Sequence, residues 1–158
     1  MRSSMLSWRI DGEAGAMFRK IDDQFLASPQ IAVGDIAEAR AMGVTTIINN
    51  RPDGEEPSEP QGAEIEAAAH AAGLGYVAIP VTHAGFSGPQ IAAMADTLAK
   101  ATGPVLAYCR SGTRSTLLWA LARAQLGDDK ATLQTKAAAG GYDLSSIEPL
   151  IDIVAGNR

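Results

Sequence analysis

An α/β fold, a single three-layer domain with a mainly parallel sheet of about four to five strands flanked by helices, is what the order of apolar patterns predicts. Strand-length runs (VTTIIN at 44–49, YVAIPV at 76–81, PVLAY at 104–108) alternate with amphipathic stretches of helical length. Glycine or proline stands near most of the changes from one pattern to the next.

Residues 1–16 show no clear periodicity and read as an N-terminal extension, with the domain proper at 17–158. Phe18 to Ile21 and Gln24 to Ala27 form a hairpin around Asp22 and Asp23, closed by the Ser28–Pro29 break. Asp35 with Glu38 three residues on spells a capping box for a helix that stops at Gly43. Val44 to Asn49 is β-branched and apolar, as a buried parallel strand requires. Asn50 to Gly62, with three prolines, two glycines and four acids, is a long loop at the carboxyl end of that strand.

A helix over 63–72 carries Ile65, Ala68, Ala69 and Ala72 on one stripe, leaving His70 on its polar side. Tyr76 to Val81 is the next strand and Thr82 to Gly88 the loop after it. Ile91, Met94, Ala95 and Leu98 then share one helix face. Pro104 to Tyr108 is a strand, and Thr116 to Leu126 is apolar nearly all round, as a helix buried on most sides should be. Asp128 or Asp129 caps a further helix ending at Gly140, and Ser145 with Glu148 starts the last one, Pro149 sitting in its first turn.

A length of 158 residues fits one domain with a real core. One cysteine excludes an internal disulfide, and with only His70 and His83 beside it a Cys/His metal site is not expected, nor is any cofactor. The net charge of −5 argues against non-specific nucleic-acid or anionic-membrane partners. No apolar run reaches the roughly 18 residues of a membrane span, and the first residues lack a secretory core, so the reading is a cytoplasmic domain.

The chemistry concentrates at CRSGTRS, Cys109 to Ser115, between a strand and a helix. A glycine-containing loop entering a helix aims backbone N–H groups and the positive end of the helix dipole at whatever the loop holds. Arg110 and Arg114 add two fixed positive charges that favour a thiolate nucleophile and can grip a tetrahedral oxyanion. Ser111, Gly112 and Thr113 supply the loop amides of a small oxyanion or phosphate site. A buried structural cysteine, the usual state of a lone Cys, needs neither arginine.

The runs FLASPQ, VTTIINNRPDGEE, GYVAIPV and VLAYCRSGTRS together resemble the bacterial beta-lactamase hydrolase-like protein, phosphatase-like domain family, relatives of the dual-specificity phosphatases, over roughly 17–126. The resemblance implies a cysteine-phosphatase-like fold. It also implies that Cys109 attacks phosphorus, that Arg114 and the loop amides hold the equatorial oxygens, and that the Ser115 hydroxyl assists breakdown of the thiophosphate. An acid from a neighbouring loop protonates the leaving alcohol in such enzymes.

The chain departs from the phosphatase pattern at three points. Arg114 follows Cys109 by five residues, giving CX4R where the phosphatases have CX5R, and the spelling CRSGTRS also resembles the active-site loop of rhodanese sulfurtransferases. Tyr108 stands where phosphatases usually have His. Thr82 to Gly88 holds no Asp or Glu, which leaves His83, Asp53 or Glu55 as proton donors. Arg51, opening the long loop, is a third cation for a substrate anion. Extent of resemblance ranks phosphate-ester hydrolysis first, persulfide-carrying sulfur transfer second, and non-catalytic binding of oxyanions or a partner third.

Overall fold

The computed structural model describes residues 17–157, so the proposed extension over 1–16 lies outside the described residues. Strand β1 (Arg19–Asp22) and strand β2 (Phe25–Ser28) pair antiparallel, and the Asp22 carboxylate accepts the Gln24 N–H at 2.9 Å in the turn between them. Helix α1 (Asp35–Ala41) ends before Gly43, whose φ of 94° turns the chain back toward the sheet. The capping box expected at Asp35 does not form. Gly34 is the N-cap, and the Asp35 carboxylate turns backward to accept the Ala32 N–H at 2.8 Å, fastening the turn before the helix.

Strand β3 (Thr46–Asn49) is followed by the long loop and by helix α2 (Gly62–Ala71), whose start is fixed by a reciprocal box between Gln61 and Glu64. Strand β4 (Gly75–Ala78) is shorter than the apolar run predicts, and Pro80 explains the difference, because it has no N–H to extend a ladder. The neighbouring amides are still used: Ile79 N–H and Val81 N–H reach the carbonyls of Asn49 and Asn50, each at 2.9 Å. Ser87 and Gln90 box the start of helix α3 (Gly88–Lys100), with Pro89 in its first turn.

Strand β5 (Val105–Tyr108) is buried at every position and leads into helix α4 (Thr113–Leu126). The helix begins three residues earlier than its apolar pattern suggests, because Gly112, in the left-handed region at φ 90°, turns the chain sharply and its carbonyl accepts the first helical bond from Thr116 N–H at 3.0 Å. Thr113, Arg114 and Ser115 therefore form a helical turn. Helix α5 (Lys130–Ala139) is capped by Asp129, and Asp128 is instead paired with Arg123. Ser145 opens a single 3-10 turn, so the last helix, α6 (Glu148–Gly156), starts at Glu148.

The five strands are ordered β1-β2-β5-β3-β4, parallel except for β1. Strand alternation splits the core into two layers. Phe25, Ala27, Ile48, Val105 and Ala107 face α3, α4, α5 and α6 through Met94, Leu118, Leu133 and Ile151, while Leu26, Ile47, Leu106 and Tyr108 face α1 and α2 through Ile36, Ala39, Ile65 and Ala69. The predicted three-layer α/β fold is the observed one. β5 lies at the centre of the sheet, so the cysteine it delivers is supported from both sides. Among the described residues no helix is long and apolar enough to cross a membrane.

Candidate active site

Cys109 leaves the carboxyl end of the central strand with its N–H donated to the Ser28 carbonyl at 3.3 Å, and Gln30 N–H reaches the Arg110 carbonyl at 3.4 Å. The end of β2 thus carries the first two residues of the loop. The thiol is fully buried, and Gly112 N–H donates to its Sγ at 3.1 Å. Thr113 N–H and the Ser111 hydroxyl close a small turn at 3.4 Å, and the Thr116 hydroxyl donates to the Gly112 carbonyl at 2.9 Å. Only four residues, Cys109 to Gly112, separate strand from helix, so the free amides of the first turn of α4 belong to the cradle.

Arg114 projects from that turn to a carboxylate 59 residues away in sequence. Its Nη1 and Nη2 donate to the two Glu55 oxygens at 2.9 and 2.8 Å, and Nη1 also donates to the Val81 carbonyl at 2.7 Å. Arg51 grips the same carboxylate through Nε at 2.7 Å and is itself held by the Gln30 side-chain oxygen at 3.0 Å. The Arg114 hydrogen bond, joined by Arg51, holds the Glu55 carboxyl down at about 2, against the opposing effect of its burial. Glu55 in turn raises Arg114, to which the nearby Cys109 adds.

This fixes the guanidinium end-on. One edge and one outer N–H are taken by Glu55 and Val81, and among the described residues no carboxylate or carbonyl accepts from Nε–H. The Ser115 hydroxyl, next along the helix, is completely buried and has no hydrogen-bond partner among the described residues, an unspent donor at the first turn.

Of the residues singled out by sequence, Cys109, Gly112, Arg114, Ser115 and Arg51 come together. Arg110 points into solvent at the mouth of a cleft of about 500 Å³ shared with Gln30, Arg51 and Glu55, and Ser111 and Thr113 are exposed at the rim. His83 is exposed in the turn between Thr82 and Gly85, two residues after the carbonyl that holds Arg114, and no hydrogen bond joins it to the cradle among the described residues. Asp53 is spent within its loop, accepting the Gly62 N–H at 2.9 Å. Glu55 is the acid of that loop which reaches the site, and it does so as an anion, so it has no proton to give at neutral pH.

Tyr108, at the position where phosphatases usually have His, is a core residue whose phenol is pushed up by burial and whose hydroxyl has no partner among the described residues. Sequence reasoning missed Gln30 and Val81, which act through a side-chain amide and a carbonyl that no motif marks. It also missed Tyr142, whose hydroxyl donates to the Ser111 carbonyl at 3.0 Å from beyond α5. The four-residue spacing of Arg51 and Glu55 was the one available signal for their pairing.

A family model described as "Beta-lactamase hydrolase-like protein, phosphatase-like domain" matches residues 17–126. The beta-lactamase hydrolase-like protein of Agrobacterium fabrum is 35% identical over 126 residues, covering 79% of this chain and 29% of its own length. The chain therefore spans about three tenths of that curated relative. A candidate phosphatase from Neisseria meningitidis of known crystal structure is 35% identical, with a TM-score of 0.74 over 86% of this chain and 96% of that one. TpbA of P. aeruginosa, solved in complex with pTyr, shares the fold at a TM-score of 0.63 and 18% identity, covering 91% of this chain and 95% of its own. With this family model matched across the sheet and the Cys109 loop, the chain belongs to the beta-lactamase hydrolase-like protein, phosphatase-like domain family.

Proposed function

We propose that the domain is a cysteine-dependent phosphate-monoester hydrolase. The observation that carries this reading is the setting of Arg114, whose guanidinium is locked end-on by Glu55 and Val81 and lies near a buried Cys109 at the amino end of α4. In the first step the Cys109 thiolate attacks phosphorus, an S–P bond forms, and the P–O bond to the leaving alcohol breaks with both electrons on that oxygen. The loop amides and Arg114 hold the three remaining oxygens through the transfer. In the second step water attacks phosphorus, the S–P bond breaks toward sulfur, and the Ser115 hydroxyl donates a hydrogen bond to the departing thiolate. Products are the alcohol, inorganic phosphate and the free enzyme.

With Glu55 ionised and Asp53 occupied, the leaving oxygen takes its proton from His83, in the turn after Val81, or from water. Leaving groups that need no proton are then the preferred substrates, aryl esters above alkyl esters. The TpbA complex with pTyr is consistent with an aryl phosphate in such a fold.

One observation favours a second reading. A loop of four residues and a cradle whose one bound carboxyl is ionised meet the needs of sulfur transfer, which forms and breaks only an S–S bond at the cysteine and has no leaving alcohol to protonate. Purified protein is assayed for aryl-phosphate hydrolysis and for thiosulfate-to-cyanide transfer, with Cys109→Ser as control. Hydrolysis that falls by about three orders of magnitude or more in the variant supports the first reading. Transfer without hydrolysis, accompanied by a one-sulfur mass gain on Cys109, replaces it with the second.

A further inference from the structure

We infer that Tyr142 is a positioning residue that sets the reactivity of Cys109 by locking a single peptide plane of the short loop; the inference rests on Cys109 being the nucleophile. The peptide between Ser111 and Gly112 is held at both ends. Its carbonyl accepts the Tyr142 hydroxyl at 3.0 Å, and its N–H, on the opposite side of the same plane, donates to Cys109 Sγ at 3.1 Å. A trans peptide points its C=O and N–H in opposite directions, so fixing one aims the other.

Gly112 is what makes the lock necessary. Its φ of 90° lies in the left-handed region, and glycine populates the mirror-image φ about as readily. Rotation of this one plane by half a turn would carry Gly112 between those two states. It would replace the N–H at Sγ with a carbonyl oxygen, turning a stabilising donor into a repelling acceptor for a thiolate. Glycine offers no resistance to that flip, and the phenol supplies it. The fit is tight: a Cβ on Gly112 would collide with the Tyr142 hydroxyl and stand 3.0 Å from the ring carbon that bears it.

The phenol is anchored in its turn. Arg19 of β1 lies 5.7 Å from the centre of the Tyr142 ring and donates from Nη1 to the Gly140 carbonyl at 3.2 Å, and Tyr142 N–H bonds the Ala137 carbonyl at 2.9 Å. The carboxyl end of α5 and the edge strand of the sheet thus reach the loop through one hydroxyl. Tyr142 lies beyond residues 17–126, the segment matched by the family model, so this support comes from a part of the chain that the family description does not include.

The test is Tyr142→Phe, which keeps the ring and its contact with Arg19 and removes only the donor. Cys109, the sole cysteine, is alkylated with iodoacetamide across pH, a readout that needs no phosphatase activity. Loss of a hydrogen bond that orients a donor to a charged sulfur is expected to slow alkylation at pH 6 by about tenfold and to move the midpoint of the profile upward. Vanadate affinity should weaken by a similar factor while the melting temperature stays within a few degrees. A profile and a vanadate affinity that superimpose on those of the unmodified protein overturn the inference. Arg19→Ala, which loosens the ring without touching the hydroxyl, is expected to give an intermediate shift, and it serves as the deciding variant if Tyr142→Phe does not fold. Absence of hydrolysis in the unmodified protein would defeat the phosphatase reading and leave this test standing.

Discussion

Arg114, Arg51 and the Glu55 carboxylate they share carry one net positive charge between them. Glu55 at about 2 is the residue through which that balance is set. Its carboxylate spends the end of Arg114 to aim the side of it, so Glu55→Gln weakens the aim more than it raises the charge. We expect kcat for aryl phosphate to fall about tenfold with a smaller change in KM, as loss of orientation in the transition state implies. The pH dependence has a fixed sign. A carboxyl whose folded value lies below its ordinary 4.5 contributes stability that is complete above that value and is lost as pH falls toward about 2. The stability difference between the native chain and Glu55→Gln, measured by urea unfolding, should be flat from pH 8 to 5 and shrink steadily below 4.5. A difference that grew with acid would contradict the assignment.

At the scale of elements, the junction of β5 and α4 decides whether the cradle exists. Gly112→Ala places a side chain in the left-handed region, at about 1–2 kcal/mol, and drives it into Tyr142 as well. We expect a melting temperature lower by several degrees and a Cys109 alkylation rate that falls with it. The sequence showed this junction as a polar heptapeptide between two apolar runs, which was enough to find the nucleophile and not enough to see that the helix already starts at Thr113. Periodicity fails there because the first three helical residues are polar: Thr113 is exposed at the rim, Arg114 reaches out to Glu55, and Ser115 is buried without an apolar side chain to mark it. Strands β3 and β5 and helices α2 to α4 were legible because burial leaves a local pattern, and α5 because a capping Asp and a terminal glycine bracket it. The contacts that finish the site were not, since Arg114 meets Glu55 across 59 residues and Tyr142 meets Ser111 across 31. Asp35 shows the reverse failure, a local capping signal whose carboxylate was taken by the preceding turn.

For the molecule as a whole, the segment matched by the family model and the unit that folds have different ends. The match stops at Leu126, yet the middle of α4, Ser115 to Ala122, is buried throughout, and part of that cover comes from later residues: Leu133, Ala137, Leu144, Ile147 and Ile151 join the same core layer. The four large side chains among them each contribute about 1.5–3 kcal/mol of burial. Their sum is comparable with the roughly 5–15 kcal/mol that holds a domain of this size folded. They also cover one face of the helix that carries Arg114 and Ser115, and α5 brings with it the turn that holds Tyr142. A chain cut after Leu126 is therefore expected to keep its sheet-forming sequence and lose its fixed core. Near-ultraviolet circular dichroism of Trp119, which stacks on Phe25 at 5.6 Å, reports that loss directly. The truncated chain should show a flattened Trp119 signal and bind a hydrophobic dye, whereas a native-like signal with cooperative melting would show that the sheet and α4 suffice without α5 and α6.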